Sequence, residues 1–92
     1  MRTILPSDLS HRDRHQLLLS GVSPRPIAFV TSVDAEGNVN LSPFSFYNAY
    51  ASNPPIVAIG PAIAAKTGRA KHTWLNILAT QECTISAVSH SM

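Results

Sequence analysis

Charge is scarce in this sequence. Asp, Glu, Lys and Arg together make up 13% of the 92 residues, half of the ~25% usual in globular domains. A surface this poor in charge predicts that much of it is covered, by further chain or by a partner. The charges present nearly balance: seven Lys and Arg against five Asp and Glu, a net +2. The pI of 9.1 reflects only that small excess. The densest charged run, His11-Arg12-Asp13-Arg14-His15, is interrupted by an acid. Nucleic-acid binding needs a basic stripe that reaches several phosphates, and no such stripe is present, so that class is set aside.

Cysteine is nearly absent. Cys83 stands alone, which rules out an intrachain disulfide. It lies in the apolar run Glu82-Cys83-Thr84-Ile85-Ser86-Ala87-Val88 with no neighbouring cation or base, so it reads as a small buried hydrophobe. No apolar run approaches the ~18–20 residues of a membrane span. Pro6 and Asp8 stand where a secretory leader needs its apolar centre, so the expected location is the cytoplasm. Gly-x-Ser-x-Gly and Gly-x-Gly-x-x-Gly are both missing, which excludes a serine nucleophile elbow and a separate dinucleotide domain. His11 and His15 are one helical turn apart, but no third ligand follows at a metal-site spacing; no metal is expected.

What the sequence does contain is a series of short extended segments. Residues 7–20 read as a short helix or turn, capped by Ser7 or Ser10, with Leu17-Leu18-Leu19 docking on a core and Gly21 as the stop. Ser23-Pro24-Arg25-Pro26 is forced into extended backbone. Ile27 to Val33 is β-branched and apolar on both faces, as a central strand is. Asp34-Ala35-Glu36-Gly37 is a turn, and Asn38 to Pro43 returns with Val39 and Leu41 on one face and Asn38, Asn40 and Ser42 on the other. Phe44 to Asn53 reads as an irregular loop, and Ile56-Val57-Ala58-Ile59 as a short buried strand. Residues 71–80 fit a helix with Ala70, Trp74, Ile77 and Leu78 on its packing face, and 83–88 form a last strand. The strand edges stay open in this order of elements, a liability for a solitary domain. At this size only about 60–65% of the unfolded surface can be buried. The expectation is one domain over residues 1–92, truncated relative to a complete fold.

Three stretches, taken in order, resemble the flavin-reductase-like FMN-binding split-barrel family. They are Val22-Ser23-Pro24-Arg25-Pro26-Ile27-Ala28-Phe29-Val30-Thr31-Ser32-Val33-Asp34; Asn38 to Asn48, running into Ser52-Asn53-Pro54-Pro55-Ile56-Val57; and Lys71-His72-Thr73-Trp74-Leu75-Asn76-Ile77 with the strand after it. The resemblance covers about residues 15–90. It implies a mainly β fold with short helices, a partial six-stranded Greek-key split β-barrel, usually homodimeric with FMN at the subunit interface. Family members are usually about twice this length.

FMN poses three binding problems, and the sequence has residues for each. For the phosphate, Lys71 and Thr73 stand at a helix start, where free N–H groups and the dipole favour an anion; the resemblance implies the same role for them. The alternative is that Thr73 only caps the helix and Lys71 is solvated. For the pyrimidine edge, Ser45, Phe46, Tyr47 and Asn48 offer backbone N–H groups outside a ladder, or else form an aromatic plug. For the ring and ribityl chain, the resemblance places contacts at Thr31, Ser32 and Ser52, whose hydroxyls otherwise bond to nearby backbone. Arg25 either faces the cofactor or pairs with Asp34 or Asp13. FAD in place of FMN stays open.

The resulting expectation is a flavin-reductase-like oxidoreductase, or a fragment of one, with NAD(P)H as hydride donor and no catalytic side chain of its own. Two other classes stay open: a non-catalytic remnant acting by self-association or partner binding, and a module for another flat ligand such as heme.

Overall fold

A computed structural model describes residues 2–61 and 72–90. A 3-10 turn at Pro6–Asp8 precedes helix α1, His11–Gly21. Ser10 is the cap: its Oγ accepts from the Asp13 N–H at 3.1 Å, and Asp13 adds an acid to the first turn, where the helix dipole favours one. Arg14 Nη1 donates to the Pro6 and Leu9 carbonyls at 2.9 and 2.6 Å, which ties the 3-10 turn onto the helix. Gly21, expected as the stop after residue 20, is itself the last helical residue. Of the three leucines, only Leu19 is partly covered. Leu17 and Leu18 are about half exposed and α1 buries no residue, because no described element lies over its apolar side.

Strands β1 (Ala28–Val33), β2 (Val39–Phe44) and β5 (Thr84–Ala87) form an antiparallel sheet in the order β2-β1-β5. The central position of β1 agrees with its apolar composition. Its burial alternates, however: Ala28, Val30 and Ser32 are enclosed, while Phe29, Thr31 and Val33 are half-covered. The register sets Ala28 opposite Phe44, Val30 opposite Ser42 and Ser32 opposite Asn40. Pro43 does not end the ladder but pairs with Phe29 inside β2; an edge strand tolerates proline because one side needs no donor.

The β1–β2 turn is held by Asp34. Its Oδ1 accepts the Glu36 and Asn38 N–H groups at 2.9 and 2.8 Å, and its Oδ2 accepts Asn38 Nδ2 at 2.9 Å. Gly37 takes a φ of 87°, a left-handed conformation that other residues adopt only with strain. The side-chain amide of Asn38, then its backbone N–H, holds the Asp34 carboxyl below its ordinary value of 3.8. As pH falls, the unfolded chain therefore takes up this proton before the folded one does. The turn's contribution to stability is fully present above the unfolded value and is lost as pH drops through the folded value. Asp34→Asn is expected to flatten this acid-side loss. Comparing unfolding midpoints of both proteins at about pH 6 and about pH 3 tests it, and an unchanged acid slope in the variant overturns it.

The segment read as an irregular loop is mostly strand. Only Ser45 and Phe46 form a bend; β3 (Tyr47–Ser52) then pairs antiparallel with β4 (Pro55–Ile59), with a bulge between Ala49 and Ala51. Ladder pairing, not composition, makes this a strand. β4 is not buried: Ile56 and Val57 are exposed, and the hairpin packs only through Tyr47 and Ile59 at its base, against Ala28, Val30 and Phe44. Gly60 closes that base by donating to the Phe46 carbonyl at 2.8 Å, and a Cβ on it would lie 3.1 Å from Phe46 Cβ.

Helix α2 (His72–Thr80) packs on β1 and β2 with only Ile77 of the expected apolar face half-covered; Ala70 lies outside the described residues. Thr73 and Asn76 are buried, whereas Trp74, Leu75 and Leu78 are 45%, 51% and 56% exposed. The inward helix face is polar because the strand face it covers is polar. Cys83, expected to be buried, is exposed just ahead of β5. The fold is mainly β with short helices, its sheets are antiparallel, and the described residues do not close a barrel. Among them no helix is long and apolar enough to cross a membrane.

Candidate functional site

Two recesses and one buried polar cluster bring together the residues singled out above. The larger recess has a volume of about 420 Å³ and lies between the end of α1, the Pro24–Pro26 segment, the Ser45–Phe46 bend and the β3–β4 hairpin. Arg25, Ser45, Phe46, Tyr47, Asn48 and Tyr50 give it its polar and aromatic character. Small-molecule sites typically span ~300–1,000 Å³, mostly apolar with a few placed polar groups, and this recess is of that kind. Ser45 and Phe46 lie between two ladders, one ending at Phe44 and the other starting at Tyr47, so neither ladder uses their N–H groups. Tyr47 and Asn48, expected in the same irregular stretch, belong to β3.

Arg25 organises the back of this recess. Its Nη1 donates to the Leu19 and Val22 carbonyls at the end of α1, at 2.7 and 2.5 Å, and its Nε donates to Ser45 Oγ at 3.3 Å. Helix C-termini leave carbonyls without partners, and a cation there also complements the dipole. The guanidinium lies 5.8 Å from the Phe46 ring centre, and His15 meets the same ring edge-on at 5.7 Å. Neither Asp34 nor Asp13 is its partner: backbone carbonyls take the place of the expected carboxylates.

The smaller recess, about 290 Å³, is lined by Thr31, Ser32, Val33, Glu82, Cys83 and Thr84. Thr31 and Ser32 are adjacent in β1 and so point to opposite faces of the sheet. Ser32 faces α2, where its hydroxyl accepts Asn76 Nδ2 at 3.2 Å. Asn40 Nδ2 reaches both Thr73 Oγ1 at 2.9 Å and Ser42 Oγ at 3.2 Å. Thr73 is fully enclosed beneath this contact. Every buried polar side-chain atom among the described residues has a partner. Asn40 and Asn76 were not among the candidates. The signal for them is the polar stripe Thr73, Asn76, Thr80 at helical spacing, matched by the polar face of β2.

Ser52 ends β3, exposed and paired with Pro55, away from both recesses. Lys71 lies outside the described residues. His11 and His15 stack in parallel 6.5 Å apart, and no group of three metal-ligating side chains occurs among the described residues. For a flavin, the large recess offers the required chemistry: an aromatic wall for a flat ring, N–H groups outside a ladder, and a cation beside them.

Comparison with known proteins agrees with this chemistry. The family model described as "Flavin reductase like domain" matches residues 20–92. The protein YwrF of Bacillus subtilis (strain 168) is 45% identical over 74 residues, which are 80% of this chain and 35% of that protein. A protein of Aquifex aeolicus (strain VF5) is 33% identical over 78 residues, 85% of this chain and 39% of its own length. Among solved structures, nitrilotriacetate monooxygenase component B from Bacillus cereus superposes with a TM-score of 0.86 at 35% identity, over 99% of this chain and 44% of that one. The 2-nitrobenzoate 2-nitroreductase NbaA of Pseudomonas fluorescens gives 0.77 at 31% identity, over 98% and 42%. The chain thus spans well under half the length of these relatives, and over that span it belongs to the flavin reductase-like domain family.

Proposed function

We propose that this chain supplies the flavin-holding part of an FMN-dependent oxidoreductase of the flavin-reductase type, working as a homodimer in the cytoplasm. The observation that carries the reading is the large recess, with Arg25, Ser45 and Phe46 at its back, in a chain whose residues 20–92 match the flavin reductase-like family. Bound FMN would supply the redox chemistry, accepting hydride from NAD(P)H and passing electrons to an acceptor. The chain's own residues bind and orient. Ser45 and Phe46 present N–H groups to the polar edge of the ring, and Tyr47, Asn48 and Tyr50 wall it. Lys71, next to α2 in the sequence, is assigned to the phosphate by its charge, and Thr73, locked by Asn40, keeps the first turn of α2 in place. Thr31 is assigned to the ribityl side, while Ser32, enclosed against Asn76, and Ser52, away from both recesses, are assigned no contact with it. No side chain is assigned a proton-transfer role.

One observation favours a second reading, a non-catalytic chain that acts by association: the exposed Trp74, Leu75 and Leu78 on α2. An FMN titration followed by flavin fluorescence, run with a size measurement, separates the two. Saturable FMN binding by a dimer, followed by NAD(P)H oxidation, is the expected result. Association without flavin affinity leaves only the second reading.

A further inference from the structure

We infer that Arg25 is the residue that sets the preference of this site for reduced over oxidised flavin, by holding a positive charge beside the Ser45–Phe46 bend; this rests on the flavin reading above. Three observations carry it. Arg25 is half-buried and lines the large recess, yet no carboxylate pairs with it among the described residues. The carbonyls and dipole at the end of α1 offset only part of a full positive charge, and no carboxylate completes the compensation, so an anion can still be accommodated beside it. Its hydrogen bonds use Nε and Nη1 only, which leaves both Nη2 hydrogens for a ligand. Finally, the guanidinium is fixed on three sides, by the end of α1, by Ser45 Oγ and by the Phe46 ring, which His15 meets in turn. A charge held this way is preorganised and need not be drawn in from solvent.

The ligand chemistry then follows. A flavin reduced by hydride from NAD(P)H, with NAD(P)+ released, would have gained two electrons and one proton, and so would carry one negative charge at its pyrimidine edge. Oxidised flavin has no such charge, so Arg25 discriminates between the two states. Arg25 is therefore a binding and tuning residue, distinct from any phosphate contact near α2.

The experiment is a redox titration of FMN bound to the full chain, with free FMN as reference, which yields the ratio of affinities for reduced and oxidised flavin. Wild type is expected to favour the reduced form. Arg25→Gln is expected to lower the ratio about ten-fold, equivalent to ~30 mV for a two-electron couple. Arg25→Lys, which keeps the charge and loses the fork, is expected to stay within about three-fold of wild type. An unchanged ratio in Arg25→Gln overturns the inference and leaves the flavin reading standing. Should Arg25→Gln not fold, the wild-type ratio decides: oxidised FMN held as tightly as reduced overturns it. No saturable FMN binding by wild type overturns the flavin reading, and this inference with it.

Discussion

Replacing Lys71 and Thr73 together by alanine is expected to weaken FMN binding about 10- to 100-fold more than riboflavin binding, since the Lys71 contact to the phosphate is a charge-assisted one of ~1.5–3 kcal/mol. Only FMN carries the phosphate. The comparison also removes a confounding effect that the structure makes plain. Thr73 is fully enclosed and its hydroxyl accepts the amide of half-buried Asn40, so alanine removes that bond and leaves Asn40 with Ser42 alone. That costs about 1 kcal/mol of folding stability and reduces both ligands' apparent affinity alike. The FMN-to-riboflavin ratio isolates the phosphate. Lys71→Ala alone is expected to change the ratio with little change in stability. Thr73→Ser, which keeps the hydroxyl, is expected to recover most of the stability lost in Thr73→Ala. Isothermal titration with both ligands reads the result, and equal losses for FMN and riboflavin would remove the phosphate from the α2 turn.

How far the residues spoke for themselves depends on whether their partners were local. The Asp34 turn was legible because its hydrogen bonds close within five residues and Gly37 marks the left-handed step. Ser10 was legible as a cap for the same reason. The range of α2 followed from periodicity, but its orientation did not. Two stripes at helical spacing exist on this helix, one apolar through Trp74 and Leu78, one polar through Thr73 and Asn76. Which faces inward is decided by the Ser32, Asn40 and Ser42 row on the facing sheet, a non-local fact. β3 was missed because Tyr47-Asn48-Ala49-Tyr50-Ala51-Ser52 alternates poorly, and pairing with β4 around a bulge makes it a strand. Thr31 and Ser32 were grouped although a strand sends neighbours to opposite faces, so that separation was available from the sequence. Arg25 was legible as a residue held in place but not in its partners, since no pattern marks the carbonyls it binds.

The charged double variant Leu75→Glu/Leu78→Glu is expected to leave the isolated chain's stability almost unchanged and to weaken its self-association roughly 30-fold or more. The first half follows from exposure: both leucines are already more than half open, and substitutions at such sites usually change stability by about 0.5 kcal/mol or less. The second half follows from what homodimer formation would cover. Fully burying a leucine contributes ~1.5–3 kcal/mol, so covering the remaining half of two gives about 2 kcal/mol, before the cost of enclosing two carboxylates. The stripe is continuous, because Trp74 and Leu78 are four residues apart and Leu75 and Leu78 three. An apolar stripe of this kind, on a helix whose other face is satisfied by Asn40 and Ser32, has no use for further intramolecular hydrogen bonds. It needs only a surface to exclude water. Trp74 is the sole tryptophan, which supplies the readout. Its emission should shift to the blue as concentration rises and dimers form, and sedimentation should show the larger species over the same range. A chain that stays monomeric, with solvent-exposed tryptophan emission and one sharp unfolding transition at every concentration, would contradict the homodimer. Association that survives both glutamates would place the contact elsewhere, with the open edges of β2 and β5 next in line.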